Sequence, residues 1–570
     1  MQNAARWVWA LEVEWAGRTR RVAEVDLEMT TDAGEVASFD GGLEPVGFEE
    51  SLNLLEVEPA ATEVGVSFDF GPALPSFLAA GHDLRTGYGV LRLVPVDVAG
   101  APLVTLDRAT IIALGPLLSP AYGDPERPTV IQATLGQVEA PTEAPLIPPS
   151  SVISEDRFPL AEPSHKGKTF PFVFGRPGYI QSGGNFIQRP GSPIYYLTEA
   201  GSSVTVPPAG LIAGHPVKAT TVDVYVVETD TWESGVGVIQ GDDLLRGYRE
   251  FLAARAEGRS AEGTLSVAAI YLLTLFDART DWQDDFSFVS GLSLIDLTTM
   301  TAPPVGAQQA WARWPEPALV GFDGQAVETA GDLVMNLLRA SGVTFDLGRT
   351  RAVCEALTHP VSGYLNDGEV TAWDYLQEVV LPLLPVTLCG GPGGIYPVLL
   401  TPEALEGAGA FFVWTEGEEV EAVSAAQAEA SDAPVAVRVR FGFDGLKETY
   451  VGQAAAGPTG SGSLERSSSG WSKALASRGL GRGIVDLEAT IITDAATAHR
   501  IAVEQLAVRS WPIVHRTYAA PAGTVLQLGD VGRITDAAVG WTSEPAMVMG
   551  REWDGARWLY RLALRLRPRL

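Results

Sequence analysis

The chain opens on a strict alternation. Trp9, Leu11, Val13 and Trp15 interleave with Val8, Ala10, Glu12 and Glu14, and Gly17 turns the chain into Thr19–Leu27. A period of two over this length predicts a β-hairpin with one heavily apolar face. Val64–Phe70 and Gly89–Val96 continue the pattern, which places a first β domain at residues 1–140. Gln137–Pro149 is rich in Pro, Glu and Ala, and a linker is expected over 141–157. A small β module follows at 158–228, with Thr221–Val227 as its strongest strand. Leu244, Leu245, Tyr248, Phe251 and Leu252 then fall at helical spacing, and Thr264–Thr299 is apolar and β-like, giving an α+β segment at 229–320.

Two helices carry start signals. Thr329 with Asp332, and Thr371 with Asp374, match the capping pattern in which a hydroxyl and a carboxylate three residues apart satisfy the first free amides. The first presents Leu333, Val334, Leu337 and Leu338 and stops at Gly342; the second presents Trp373, Leu376 and Val380 and stops before Pro382. They define an α+β domain at 321–435. The last domain, 436–570, is β-rich with one helix, which Asp494 opens and whose apolar stripe is Ala498, Ile501, Ala502 and Leu506. Leu528–Asp536 follows a loop. The final strand sets Arg557, Arg561, Arg565, Arg567 and Arg569 on one parity against Trp558, Tyr560, Leu562, Leu564 and Leu566 on the other. Two readings of the arginine face are open: a solvated charged surface, or a ladder facing a carboxylate-rich neighbour. Ala454–Gly470 reads as a flexible loop over a surface or into a lumen.

Length changes the picture first: 570 residues exceed one core and predict three to five domains. With 61 Gly and 39 Pro between short alternating runs, the fold class is β-rich α+β and multidomain. The net charge of −30 argues against wrapping nucleic acid, which needs clustered Lys and Arg. It suits a wall that DNA passes without sticking, and equally an acidic proteome. Cys354 and Cys389 are too few for an iron–sulfur cluster or a closed zinc site, and are expected as free, buried thiols. Glu12 and Glu14 interrupt any apolar leader, and Ser266–Phe276, the longest apolar run, falls short of a membrane span. A protein made and kept in a soluble phase is expected.

Candidate chemistry is sparse. His82, His165, His215, His359, His499 and His515 show no metal-ligand spacing, and His499 and His515 read as structural. No Gly-x-Ser-x-Gly elbow occurs. Gly390–Gly394 and Gly479–Gly483 lack a following Lys-Ser/Thr and read as tight turns. Asp281, Asp284 and Asp285, and Glu416, Glu418, Glu419 and Glu421, are candidate Ca²⁺ ligands, but neither group has EF-hand order and solvated turns account for both. Among 70 acids a glycosidase pair stays open, with tryptophans lining a sugar cleft. No cofactor is called for.

Three segments carry a resemblance. Thr169-Phe170-Pro171-Phe172-Val173-Phe174-Gly175-Arg176 is similar to a Pro-x-Val-x-Gly-Arg strand entry in tail-tip proteins of lambda-like phages. Thr371–Pro397, with Trp373-Asp374-Tyr375-Leu376 and Gly394-Ile395-Tyr396-Pro397, resembles the middle of long-tailed phage hub proteins. The C-terminal unit, Thr497–Leu506 and Leu528–Asp536, looks like their closing domain. In layout the chain therefore resembles tail-tip or baseplate hubs of siphophages and gene-transfer-agent-like particles. The resemblance implies barrel-like β domains with small helical insertions, and a virion protein of the tail tip, synthesised in the host cytoplasm. It implies a homotrimer whose two β domains per subunit meet a sixfold tube, closing it above a threefold tip. Implied partners are the distal-tail ring, the tape-measure protein, tip or fibre proteins and the host envelope, with DNA only in transit and no turnover. Under this reading Arg561, Arg565 and Arg567 are the candidate inter-subunit contacts. A distal-tail ring or receptor-binding tip protein, and a polysaccharide-binding or hydrolysing protein, are the alternatives.

Overall fold

The computed structural model describes residues 6–15, 17–52, 63–136, 141–182, 185–197, 209–257, 291–305, 308–318, 327–401, 410–428, 434–457, 483–510 and 513–565. The opening hairpin forms as Arg6–Trp15 and Arg18–Ala23, at the centre of an eight-stranded sheet over residues 6–136. Gly42–Glu44 bonds to Ala23 on one side and to Ser67 and Asp69 on the other, so this sheet curls toward closure. Trp9, Leu11, Val13 and Trp15 point into its main core. Val8 and Ala10 are buried on the opposite face, under Leu27, Met29 and Phe39.

The chain's other end builds a second eight-stranded sheet, with Val531–Asp536, Trp541–Trp553, Arg557–Arg565 and Ile513–Pro521 side by side. One of its strands comes from the opposite end of the sequence. Phe48–Ser51 leaves the first sheet and pairs antiparallel with Gly550–Trp553. The two sheets bury their apolar faces in one continuous core. Trp9 meets Trp553 edge-on at 5.8 Å, and Phe48 meets Trp558 at 5.5 Å. Inside this seam Arg551, 2% exposed, is ion-paired with Glu50, and its guanidinium lies 4.7 Å over the Phe48 ring. Burial alone lowers the Arg551 pKa, but the Glu50 charge and hydrogen bond outweigh it, and the net shift is upward.

The middle of the chain forms two further units. Ser192–Tyr196, Ala209–Ala213, Ser293–Asp296, Thr231–Gln240, Thr221–Val226 and Ala310–Arg313 close a six-stranded barrel. It crosses the boundary expected at 228/229, because Thr221–Val226 pairs both with its hairpin partner and with Ala310–Arg313. Asp223 and Arg313 form a buried ion pair in its wall, capped by the Trp232 ring. The expected linker is not loose. Ile147 and Ile153 are buried in different cores, and Leu146 donates its amide to the Val370 carbonyl.

The fourth unit is a helical layer on a three-stranded sheet. Helix Ala330–Ala340 has the reciprocal Thr329–Asp332 cap, buries Leu333, Val334, Leu337 and Leu338, and ends at Gly342 with φ 71°. The second expected helix is α-helical only over Ala372–Tyr375; it widens into a π turn at Leu376–Val380 and a 3₁₀ turn around Pro382. Helix Ala495–Ser510 starts as expected, with Asp494 accepting the Thr497 amide, and buries Ala498, Ile501, Ala502 and Leu506. That stripe packs on Val437, Val439 and Phe441, in the same core as helix Ala330–Ala340. The expected domain 436–570 therefore divides: its first half joins the helical layer, and residues 513–565 join the terminal sheets. Of the apolar stretch 264–299, residues 264–290 lie outside the described residues, and with them Asp281, Asp284 and Asp285.

Removing one partner of a buried ion pair typically costs about 3–5 kcal/mol, whereas replacing both by apolar groups is often neutral. Glu50→Ala is therefore expected to lower the stability of the terminal body by about that amount, and Glu50→Leu combined with Arg551→Met to restore most of it. Urea midpoints followed by tryptophan fluorescence check this; equal losses in the single and double variants would refute the pairing account.

Candidate functional site

The final strand shows the expected two-faced pattern. Trp558, Tyr560, Leu562 and Leu564 are fully buried in the terminal core. On the opposite parity Arg557 and Arg561 are exposed, with the half-buried Leu559 between them. Arg561 sits opposite Thr517 on one neighbouring strand and Gly550 on the other. A side chain at Gly550 would stand 3.4 Å from the Arg561 Nε, so glycine leaves room for the guanidinium to lie across the sheet. Among the described residues Arg561 has no ion-pair partner. Arg557 is already engaged within the chain, by Glu421 at 2.8 Å and Asp554 at 3.1 Å. Arg565 closes the strand opposite Ile513, and Arg567 lies outside the described residues. The ladder therefore reduces, where it is described, to Arg561 on a sheet face flanked by an internally paired Arg557.

The Leu528–Asp536 motif resolves into two anchors. Gly529, at φ 77°, brings the backbone so close to Val398 that a Cβ would fall 2.4 Å from it. Asp530 accepts the Gln527 amide at 2.8 Å and an Arg349 N–H at 2.9 Å, which ties the motif to the helical layer. Burial pushes the Asp530 carboxyl upward, against the opposing pull of Arg349. Asp536, fully buried, pairs with Arg516 and accepts the Tyr518 hydroxyl at 2.7 Å. Both aspartates are held by arginines distant in sequence. The arrangement is a structural clamp.

Each histidine with a described environment is used for packing or bonding. His215 accepts the Val173 amide at Nε2, 2.9 Å, with Nδ1 3.0 Å from the Pro216 carbonyl, which suits a neutral ring. His165 accepts the Tyr196 amide at Nδ1, 2.8 Å. Burial holds both rings down at about 4. His359 is buried 2.8 Å from Glu504. Cys354 and Cys389 are free, Cys389 buried and Cys354 partly exposed; burial pushes both thiols up, Cys354 to about 12. Glu419 accepts the Thr415 amide and Glu421 pairs with Arg557, and among the described residues no three His, Cys, Asp or Glu side chains converge on a metal position. Gly391 and Gly394 exchange backbone hydrogen bonds in a tight turn. Ala454–Ala456 belongs to strand Thr449–Ala456, and the rest of the expected loop to Gly470 lies outside the described residues apart from Gly457.

One cleft was not legible in the sequence. It measures about 220 Å³ and lies where the barrel, the helical layer and the three-stranded sheet meet. Its walls include Gly178, Ser362, Tyr364, Asn366, Phe443 and Thr493. Among the described residues that line it there is no His, Cys, Asp, Glu, Lys or Arg.

No protein-family model matches the chain, and no curated protein matches it. Among solved structures, the tail protein from Neisseria meningitidis MC58 is similar over 97% of this chain and 96% of its own, at 10% identity and a TM-score of 0.34. The 43 kDa tail protein of prophage MuSo2 from Shewanella oneidensis is similar over 98% of each chain, at 8% identity and a TM-score of 0.29.

Stability should fall with acid for a stated reason. The unfolded histidines protonate near 6.5, while His165 and His215 resist protonation down to about 4 when folded. Their contribution is complete above pH ~6.5 and is lost progressively as pH falls to about 4. Urea midpoints across that window should drop, and His215→Gln, which keeps an acceptor for Val173, should flatten part of the drop. A pH-independent midpoint in the native chain would refute the assignment.

Proposed function

We propose that the chain is a structural protein of a bacteriophage tail, and that within the tail it is the hub of a siphovirus-type tip. The observation that carries the reading is the terminal body: two eight-stranded sheets from opposite ends of the chain, sharing one core. The hub layout that the sequence resembles calls for two β domains per subunit, so that three copies present six units to the tube above. The barrel and the helical layer then occupy the chain's middle as the insertions that such a layout holds.

Charge supports the same reading. A net charge of −30, tripled around an axis, favours a conduit that repels DNA and lets it pass. Heterologous contacts that close into a ring need complementary surfaces on one chain. Arg561 on an open sheet face, in a chain with 70 acidic residues, supplies one such half. In this proposal Arg561, together with Arg565 and Arg567, meets carboxylates of the neighbouring copy.

The test is the copy number of the chain in particles, read by cryo-electron microscopy. Three copies around the axis at the tube's end are expected; six copies, or absence from the particle, would overturn the hub assignment. In the same particles Arg561→Glu with Arg565→Glu should block incorporation while leaving the monomer's thermal melt within a few degrees of the parent. Normal particles from that variant would refute the arginine contact.

A further inference from the structure

The cleft between the barrel and the helical layer has a chemistry that the tail reading does not use. Among the described residues its lining contains no charged side chain, in a chain with 110 charged residues of the four ordinary types, 40 basic and 70 acidic. Its lining residues instead include the hydroxyl-bearing Ser362, Thr490, Thr493 and Tyr364, with Phe443 and with Asn366, whose amide also donates to the Tyr195 hydroxyl at 3.2 Å. Ser362 is 5% exposed and its Oγ has no hydrogen-bond partner, although a buried hydroxyl ordinarily has one. Two glycines shape the mouth. A Cβ at Gly178 would fall 2.4 Å from the Arg189 carbonyl, and one at Gly191 would fall 2.3 Å from that of Pro177. Backbone there approaches backbone too closely for any side chain at either position. Tyr179, next to Gly178, packs against Phe186 at 4.7 Å, and Phe186 is 56% exposed on the hairpin Tyr179–Gln188.

We propose that this cleft is a binding site for a neutral saccharide unit. The absence of charged walls disfavours phosphates, carboxylates and cations. Hydroxyls act as both donors and acceptors, and so match a ligand whose own groups are hydroxyls. Aromatic faces suit the C–H faces of a sugar ring, as they suit other apolar surfaces with polar edges. The volume is below the ~300–1,000 Å³ of drug-sized pockets, which fits a single ring. The site does not depend on the hub assignment, and either can fail without the other.

The experiment is saturation-transfer NMR on the purified full-length chain with glucose, galactose and N-acetylglucosamine, and with a capped neutral tripeptide as the contrasting probe. Transfer to the ring protons of at least one sugar, with a dissociation constant in the millimolar range, is expected. Thr493→Trp should fill the cleft and abolish transfer, and Asn366→Ala should weaken it several-fold, with thermal melts confirming that both variants fold. Should Thr493→Trp prove unfolded, Asn366→Ala alone carries the test. No transfer from any of the three sugars, transfer unchanged in both folded variants, or transfer to the tripeptide alone would overturn the proposal.

Discussion

Strand Phe48–Ser51 belongs by sequence to the first sheet and by hydrogen bonding to the last. It delivers Glu50 to Arg551, 501 residues away, inside a seam of Trp9, Phe48, Trp553 and Trp558. A buried guanidinium is tolerated only with its charge paired, so this contact fixes register as well as proximity. A slip of one residue would put Phe48 outside and leave Arg551 without its carboxylate. The Trp9 face of the first sheet is covered by the last sheet, while its opposite face, with Val8 and Ala10, is covered by Leu27, Met29 and Phe39 of its own strands. The barrel and the helical layer are strung between two chain ends that this seam holds together.

The same device recurs at lower cost through the molecule. Asp223–Arg313 ties two barrel strands, Arg349–Asp530 ties the helical layer to the last sheet, and Arg516–Asp536 ties a strand to its own sheet. In each case a carboxylate nine-tenths or more buried is met by an arginine, whose planar fork keeps its geometry when desolvated. The described polar groups of the interior are thus largely spent on joining units. At the cleft the pattern differs: Asn366 donates to the Tyr195 hydroxyl at 3.2 Å, and the Ser362 hydroxyl is left unpaired among the described residues.

What the helices and strands would be was readable along the chain. The Thr329–Asp332 cap, the Gly342 stop, the stripe Ala498–Leu506 and the parity of Trp558 and Arg561 all follow from local periodicity and capping chemistry. The widening of the second helix into a π turn was not, because it depends on how Tyr375 and Leu376 seat in a core built by distant strands. Of the candidate site, the arginine face was visible as an alternation. That Arg557 would be occupied by Glu421 and Asp554 was not, since Glu421 lies 136 residues away.

By itself the sequence determined which face of each element is apolar, where helices begin and stop, and that the chain must divide into several cores. Only the tertiary structure decided which core each face joins. It sent residues 436–457 and 483–510 to the helical layer and 513–565 to the first sheet, carried the barrel across 228/229, and packed the stretch 141–157 that composition marks as a linker. The physical reason is that periodicity reports a buried face without naming what buries it. Strand pairing and burial across hundreds of residues are settled by which surfaces fit, and that fit exists only once the chain has closed on itself.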